Sequence, residues 1–144
     1  MSNDQEVEPN ASPWVRDQLA TIHSTGDTRS VQVQDRPVVV MTMTGVKTGK
    51  PREVPVMRVE HDGVYAAVAS KGGDPKNPVW FNNLTANPDI TLQDGTSTVP
   101  MRARLATEAE HEKWWPRCVA AYPPYADYQT KTDRKIPVLL LEPR

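Results

Sequence analysis

Short apolar runs separated by turn dipeptides constrain the fold of this chain more than any other feature of its sequence. Asp62-Gly63 leads into the apolar run 64–69, and Asp94-Gly95 lies between the runs 90–93 and 98–105. Aspartate and glycine tolerate the positive φ angles of two-residue hairpin turns, so Asp-Gly between such runs is a strong hairpin signal. The sequence therefore predicts two antiparallel hairpins.

Three further segments have the composition of strands. Residues 37–44 and 136–141 are largely apolar and contain several β-branched side chains, and residues 54–60 alternate between apolar and polar positions. These patterns are typical of buried and half-buried strands. With the hairpins they favour a mainly β (α+β) fold, a small β-barrel of about six antiparallel strands with peripheral helices.

Helical signals are few and short. Ser12-Pro13 has the form of an N-cap followed by proline at the first helical position, which predicts a helix to about residue 23. A second, short helix is expected over 79–84. Thr107 and Glu110 form a capping box that opens a third helix, which Pro116 is expected to kink.

Size and charge limit the class of protein. The 144 residues suffice for one domain, expected over 12–144, whereas the polar, acidic residues 1–11 are expected to form a disordered leader. Lys and Arg total 17 against 18 Asp and Glu, so no overall field attracts nucleic acid or an anionic membrane. No apolar run has the length of a membrane span.

Cysteine and histidine usage also excludes several chemistries. Cys118 is the single cysteine, so an internal disulfide is impossible and a reducing, cytoplasmic location is expected. The three histidines are scattered without ligand spacing, so no metal site is expected. No Gly-x-Ser-x-Gly elbow is present, and Cys118 on a predicted helix fits packing better than nucleophilic catalysis.

Two glycine-containing loops carry positive charge. The segment 45–52 holds Lys47, Lys50 and Arg52 without an acidic residue, and the segment 70–76 holds Lys71. The first is not a nucleotide-binding P-loop, because its spacing is one residue short and a proline replaces the hydroxyl residue. If the loops converge, they suit a small anionic ligand; the alternative is that both are solvated turns.

Three tyrosines form the other cluster of chemical interest. Tyr122, Tyr125 and Tyr128 are spaced by three, which on a helix places the phenols near one face. They are then able to line an apolar pocket and offer O–H donors, although a purely structural aromatic ledge has the same spacing.

Several motifs in order resemble the deazaflavin-dependent nitroreductase and quinone reductase family over roughly residues 37–143. The motifs are Thr42-x-Thr44-Gly45-x-Lys47-Thr48-Gly49-x-Pro51-Arg52, Ala69-Ser70-Lys71-Gly72-Gly73 with Pro78-x-Trp80, Asn83-Leu84-x-Ala86-Asn87-Pro88, Tyr122-Pro123-x-Tyr125-x-Asp127-Tyr128-Gln129 and Asp133-Arg134-x-Ile136-Pro137. The resemblance implies a split β-barrel and an oxidoreductase that passes a hydride from reduced coenzyme F420 to a quinone, a nitroaromatic or an activated alkene. Its partner would be a small-molecule electron acceptor.

The resemblance also implies roles for residues. Those expected to bind the cofactor lie in the two loops and the segments beside them: Thr42, Val46, Lys47, Thr48, Gly49, Lys50, Pro51, Arg52, Ala67, Val68, Ala69, Ser70, Lys71, Gly72, Val79, Trp80, Phe81 and Asn83. Those expected to bind the substrate are Met57, Tyr122, Tyr125 and Tyr128. Tyr125 is the first candidate to stabilise or protonate the reduced acceptor, Ser70 is the second, and water is an alternative.

Two positions depart from the family pattern, and two rival functions stay open. Val46 stands where an arginine is frequent, and Met57 stands where the nitroreductase members carry tyrosine, which makes this pocket less polar. One rival is an FMN-dependent oxidoreductase on a similar barrel, for which the basic loop has no tail to bind. The other is a non-catalytic deazaflavin-binding protein. Neither the native acceptor nor the oligomeric state follows from the sequence.

Overall fold

The computed structural model describes residues 7, 9, 10 and 12–144. Of the predicted disordered leader, residues 1–11, only residues 7, 9 and 10 are described, and the rest of that prediction lies outside the described residues. Within them, no helix is long and apolar enough to cross a bilayer. The same described residues contain no group of three or more His, Cys, Asp or Glu side chains able to hold a metal ion.

The described residues form eight strands and four α-helices. The strands are β1 Gln32–Val33, β2 Arg36–Thr44, β3 Pro51–Met57, β4 Glu60–His61, β5 Val64–Val68, β6 Asp89–Asp94, β7 Ser97–Leu105 and β8 Val138–Pro143. The helices are α1 Pro13–Thr25, α2 Val79–Ala86, α3 Glu108–Ala121 and α4 Pro124–Thr130, with 3₁₀ turns at Thr28–Ser30 and Lys71–Gly73. Six of the strands are longer than two residues, in agreement with the predicted number.

All strand pairs are antiparallel, and they form one curled sheet. The six longer strands follow the order β3-β2-β6-β7-β8-β5. The short strand β1 pairs with the start of β2, and the short strand β4 pairs with the start of β5. No ladder joins β3 to β5 among the described residues, although Ala66 N–H donates to Val59 O at 2.9 Å where the chain crosses between them. The sheet is therefore a split barrel, as predicted, and its opening lies between β3 and β5.

Alternation along the strands produces two buried clusters. Inward side chains from all six longer strands, with Leu84, Trp80 and Phe81 of α2, fill the barrel interior. Outward side chains of β2, β5 and β8 pack against Leu19 and Ile22 of α1 and against α3. Helices α1, α3 and α4 therefore cover one outer face of the sheet, while α2 packs against the interior cluster.

The local signals located most elements and misplaced some boundaries. Asp62 and Gly63 have φ angles of 53° and 81° between β4 and β5, which confirms the turn. Only Glu60 and His61 of the expected first strand pair with β5, because residues 54–57 pair with β2 instead. The second hairpin is present, but its turn is Gly95-Thr96, closed by the pair Asp94 and Ser97, one residue later than predicted. Glycine takes the positive φ of 65° there more readily than aspartate.

Three other boundaries differ from the expectations. Pro51 and Arg52 belong to β3 and pair with Thr44 and Met43, so the basic loop ends at residue 50. The last strand begins at residue 138 instead of 136, after Pro137, which has no N–H for a ladder. Helix α3 begins at the predicted capping box and continues through Pro116 to residue 121, because burial of its apolar face offsets one lost hydrogen bond.

Candidate functional site

A cavity of about 270 Å³ lies at the opening of the barrel. Its walls come from α1, from the end of β3, from β5 with the loop that follows it, and from the tyrosines around α4. The lining includes Trp14, Val15, Gln18, Val33, Val38, Pro55, Val56, Met57, Val68, Ser70, Gly72, Trp80, Tyr122, Tyr125 and Tyr128. The cavity thus gathers all four residues expected to bind substrate and both candidate catalytic residues.

The three tyrosines form an aromatic cluster against this cavity. Tyr122 caps the end of α3, and Tyr125 and Tyr128 lie on α4. Ring centroids of Tyr122 and Tyr125 are 4.9 Å apart and edge to face, and those of Tyr125 and Tyr128 are 6.2 Å apart. The three phenols therefore share one face, as predicted. They come from two helices instead of one, because α3 ends before Pro123 and α4 begins at Pro124.

The Tyr125 phenol is the most deeply buried of the cluster. It is 5% exposed, and burial raises its pKa far above the ordinary value for tyrosine. Its hydroxyl makes no hydrogen bond to any described residue, whereas the Tyr122 and Tyr128 hydroxyls lie 3.4 Å from each other. Tyr125 is therefore a protonated donor with an unused O–H beside an open cavity.

The loop after β5 turns at two glycines that have different functions. Gly72 has a φ of 65° and open space around its Cβ position, so nothing but backbone would face a ligand there. A Cβ on Gly73 would lie 2.8 Å from Tyr128 O, so this glycine permits close packing of the loop on α4. Ser70, at the start of the loop, is buried and its hydroxyl makes no hydrogen bond to a described residue.

Arg134 holds this loop in place, a role that the sequence did not reveal. Its guanidinium donates to the carbonyl oxygens of Ala69 at 3.1 Å, Ser70 at 2.9 Å, Asp74 at 2.8 Å and Lys76 at 3.3 Å, and to Asn77 Oδ1 at 2.8 Å. Five donor contacts from one side chain fix the path of the loop. The sequence placed Arg134 in the Asp133-Arg134-x-Ile136-Pro137 motif but gave no indication of the groups that it contacts.

The basic loop 45–50 joins β2 to β3 and is bound to α2. Val46 N–H donates to the buried Asn83 Oδ1 at 3.0 Å, and Gly45 N–H donates to Lys50 O at 2.9 Å. Lys47 and Lys50 are exposed and form no ion pair with any described residue, and the same is true of Lys71. The two cationic loops therefore both adjoin α2, one before its first residue and one through Asn83.

The other residues expected to bind cofactor are distributed over different surfaces. Val68, Ser70, Gly72 and Trp80 line the cavity, but the side chains of Ala67 and Ala69 belong to the barrel interior because strand residues alternate. Phe81 also packs on the interior, Val79 is 60% exposed, and Thr42 is partly buried on β2. Val46, Lys47, Thr48, Gly49, Lys50, Pro51 and Arg52 do not line the cavity.

Helix α1 supplies one wall of the cavity, which the sequence did not indicate. Trp14, Val15 and Gln18 line it, although the family resemblance began only near residue 37. Trp14 is 59% exposed at this wall. The helical spacing of 14 and 18 was visible in the sequence, but nothing there indicated which part of the sheet this face would cover.

Comparison with known proteins bears directly on this site. A family model described as F420H(2)-dependent quinone reductase matches residues 14–143, a span that includes both loops, the tyrosines and all of α1 but its first residue. The chain belongs to the F420H(2)-dependent quinone reductase family. Members of this family are F420-dependent oxidoreductases by name, and the predicted resemblance is thereby confirmed.

Individual relatives support the assignment. The chain is 33% identical over 111 residues to the F420H(2)-dependent quinone reductase Rv1261c of Mycobacterium tuberculosis, covering 75% of this chain and 74% of that protein. It is similar to a solved F420-H2 dependent reductase, FDR-A, at 57% identity and a TM-score of 0.71, covering 78% of this chain and 99% of the other. A second solved structure, a domain-swapped dimer, is 55% identical with a TM-score of 0.73, covering 91% and 100%.

Proposed function

We propose that this protein binds reduced F420 beside the cavity at the barrel opening and transfers a hydride from it to a quinone. The observation that carries the proposal is the meeting of the Ser70–Gly72 loop, Met57 and three tyrosines around one cavity in a member of this family. The volume of the cavity, about 270 Å³, is of the order of the volume of a small bicyclic molecule. Its walls are mostly apolar with a few polar groups.

The loops fit the chemistry of the cofactor. F420 is a deazaflavin ring with a phosphate and an oligoglutamate tail, so it requires cationic groups along one side. Lys47, Lys50 and Lys71 are exposed cations without ion-pair partners among the described residues. The backbone at Gly72 is bare enough for close approach of a ring. We therefore assign the ring to the Val68–Gly72 side of the cavity and the tail to the basic loop along α2.

The chain's own groups then act on the acceptor. Reduced F420 supplies the hydride, and the protein positions the acceptor and stabilises the negative charge that develops on its oxygen. The Tyr125 phenol holds its proton more tightly than an ordinary phenol because burial raises its pKa. Its contribution is accordingly a hydrogen bond to the oxyanion, with Ser70 as a second donor, and solvent completes protonation.

Cofactor selectivity tests the proposed function. The purified protein should bind F420 at least about tenfold more tightly than FMN, because only F420 has a polyanionic tail for the basic loop. Fluorescence titration gives both dissociation constants, and stopped-flow absorbance with menadione gives the hydride-transfer rate. Preferential binding of FMN would support the rival oxidoreductase. Tight binding of F420 without oxidation by any of a panel of quinones, nitroaromatics and activated alkenes would support the non-catalytic binder.

Removing charge from the basic loop tests the assignment of the tail. The double variant Lys47→Gln/Lys50→Gln should bind intact F420 roughly three- to tenfold more weakly at low salt, with the difference shrinking as salt screens the charges. Binding of the deazaflavin ring compound that lacks the phosphate and the oligoglutamate tail should not change. Lys113→Gln removes an exposed lysine on α3 and serves as the control. Equal losses for both ligands would place the effect in loop folding instead.

A further inference from the structure

Gln18 is a polar residue at a core-facing position of α1. The apolar residues Val15, Leu19 and Ile22 lie on the same side of this helix, and Leu19 and Ile22 are buried in the outer cluster. Gln18 is only 8% exposed, yet it lines the cavity at the barrel opening together with Trp14 and Val15. A buried carboxamide in an apolar helix face is costly unless its polar atoms are bonded.

The Gln18 side chain has no such bond. Its amide makes no hydrogen bond to any residue that the structure describes. In the described part of the chain, every fully buried side-chain nitrogen or oxygen atom has a hydrogen-bond partner. An amide without a partner is therefore not fully buried. The amide of Gln18 therefore retains access to open space although the residue is nine-tenths buried, and the residue lines the cavity.

We propose that the Gln18 carboxamide is a specificity-determining contact for the acceptor, hydrogen-bonded to a quinone carbonyl. This inference rests on the proposed function. Tyr125 and Gln18 reach the cavity from different elements, α4 and α1, so each is able to serve one of the two carbonyls of a quinone. The other residues of the α1 wall lack this two-way capacity, since Trp14 has only an indole N–H donor and Val15 has no polar group.

A carboxamide is able to bind both the quinone substrate and the hydroquinone product. Its NH₂ group donates to the carbonyl oxygen of the quinone, and its C=O group accepts from the hydroxyl of the hydroquinone product. Two electrons and two protons convert one into the other, so the group facing Gln18 changes from acceptor to donor during turnover. A neutral amide satisfies each without a buried charge, whereas a carboxylate at this position would repel the carbonyl.

Substitution by methionine separates ligand recognition from folding. Gln18→Met keeps the length of the side chain and removes only the polar amide. The dissociation constant of menadione should rise roughly three- to tenfold, the effect of one neutral hydrogen bond. That of 1-tetralone, a similar bicyclic ketone with one carbonyl, should change less. The melting temperature should stay the same or rise, since an unpartnered amide is lost from a buried site.

The measurements use the protein with oxidised F420 bound, by isothermal titration calorimetry with each compound and by thermal unfolding. Gln32→Met makes the same change at an exposed position of β1 outside the cavity and should alter none of these quantities. Unchanged menadione binding in Gln18→Met, or equal losses for both compounds, would overturn the inference. A lowered melting temperature with weaker F420 binding would likewise make Gln18 a structural residue.

The outcome is distinguishable from failure of the proposed function. If the wild-type protein with reduced F420 transfers no hydride to menadione in stopped-flow experiments, the proposed activity is wrong. The binding comparison between menadione and 1-tetralone still decides whether Gln18 recognises a second carbonyl. If wild-type turnover is present and Gln18→Met shows an unchanged KM for menadione, the activity stands and the contact does not.

Discussion

Replacing Tyr125 by phenylalanine is expected to lower the rate of hydride transfer to a quinone about 100-fold, the usual cost of removing one donor from a developing oxyanion. The phenyl ring keeps the edge-to-face contact with Tyr122 and the packing in the outer cluster. Because the Tyr125 hydroxyl is not bonded to any described residue, its removal should not destabilise the fold. Single-turnover kinetics with saturating reduced F420 measure the rate, and thermal unfolding measures stability.

Tyr65 provides a matched control, because its replacement is expected to change the stability of the fold and not the rate of hydride transfer. Its hydroxyl donates to Asp94 on β6, and burial together with this bond raises its pKa to about 12. Tyr65 does not line the cavity. Tyr65→Phe should therefore lower the melting temperature and leave hydride transfer unchanged. A loss of only a fewfold in Tyr125→Phe would make solvent the group that stabilises and protonates the product, and Tyr125 an aromatic wall.

The pKa of Tyr125 also predicts the pH dependence of this step. Because burial raises the pKa, the phenol stays protonated in the folded protein at neutral and moderately alkaline pH. The Tyr125-dependent part of the rate should accordingly be flat from about pH 6 to 9, below the ordinary tyrosine pKa. A fall in that part of the rate near pH 8, absent from Tyr125→Phe, would contradict the assignment of a buried, protonated donor.

Loss of Arg134 is expected to weaken F420 binding by about tenfold or more. Arg134→Ala removes the guanidinium donor from the carbonyl oxygens of Ala69 and Asp74 and leaves that of Ser70 with only the Gly73 N–H, and hydrogen bonds to a charged group contribute about 1.5–3 kcal/mol each. The loop that we assign to the cofactor ring would then sample other conformations. Arg134→Lys keeps the charge but loses the planar fork, so it should recover only part of the affinity.

Arg144 provides the control for this variant. It also binds backbone carbonyls, those of Met101 at 2.9 Å and Ile90 at 3.3 Å, but on β7 and β6 away from the cavity. Arg144→Ala should lower the melting temperature without changing the dissociation constant of F420. If both alanine variants lower stability and neither changes F420 affinity, Arg134 supports the fold and has no function in positioning the cofactor loop.

Local signals were sufficient for most of the secondary structure. The Asp62-Gly63 hairpin, the Ser12 N-cap and the Thr107–Glu110 capping box are interactions within a few residues, so their residue types predict them directly. The β1–β2 turn was not predicted, because Gln34 and Asp35 adopt φ angles of 51° and 62° without a glycine. Tertiary pairing overrides local preference at such positions.

The functional site likewise contains residues that the sequence identified and residues that only the structure identified. The motif residues Ser70, Gly72, Trp80 and the tyrosines were identified from their order along the chain, and the structure gathers them around one cavity. Gln18 was not identified, and Arg134 was part of a family motif but was given no role. A lone glutamine and a lone arginine have no spacing that reports a function, since their importance depends on what lies opposite them in space.

By itself, the sequence determined the six longer strands, three of the four α-helices, the basic loop, the aromatic cluster and the resemblance to a family, because each is encoded in residues close together or in an ordered set of motifs. Only the tertiary structure decided that β3 and β5 remain unpaired, that α1 forms a wall of the resulting cavity, and that one arginine fixes the loop beside it. Those features depend on contacts between residues far apart in the sequence, such as Arg134 and Ser70, which are 64 positions apart. Such contacts follow from how the sheet curls and how its faces are covered, which no local pattern specifies.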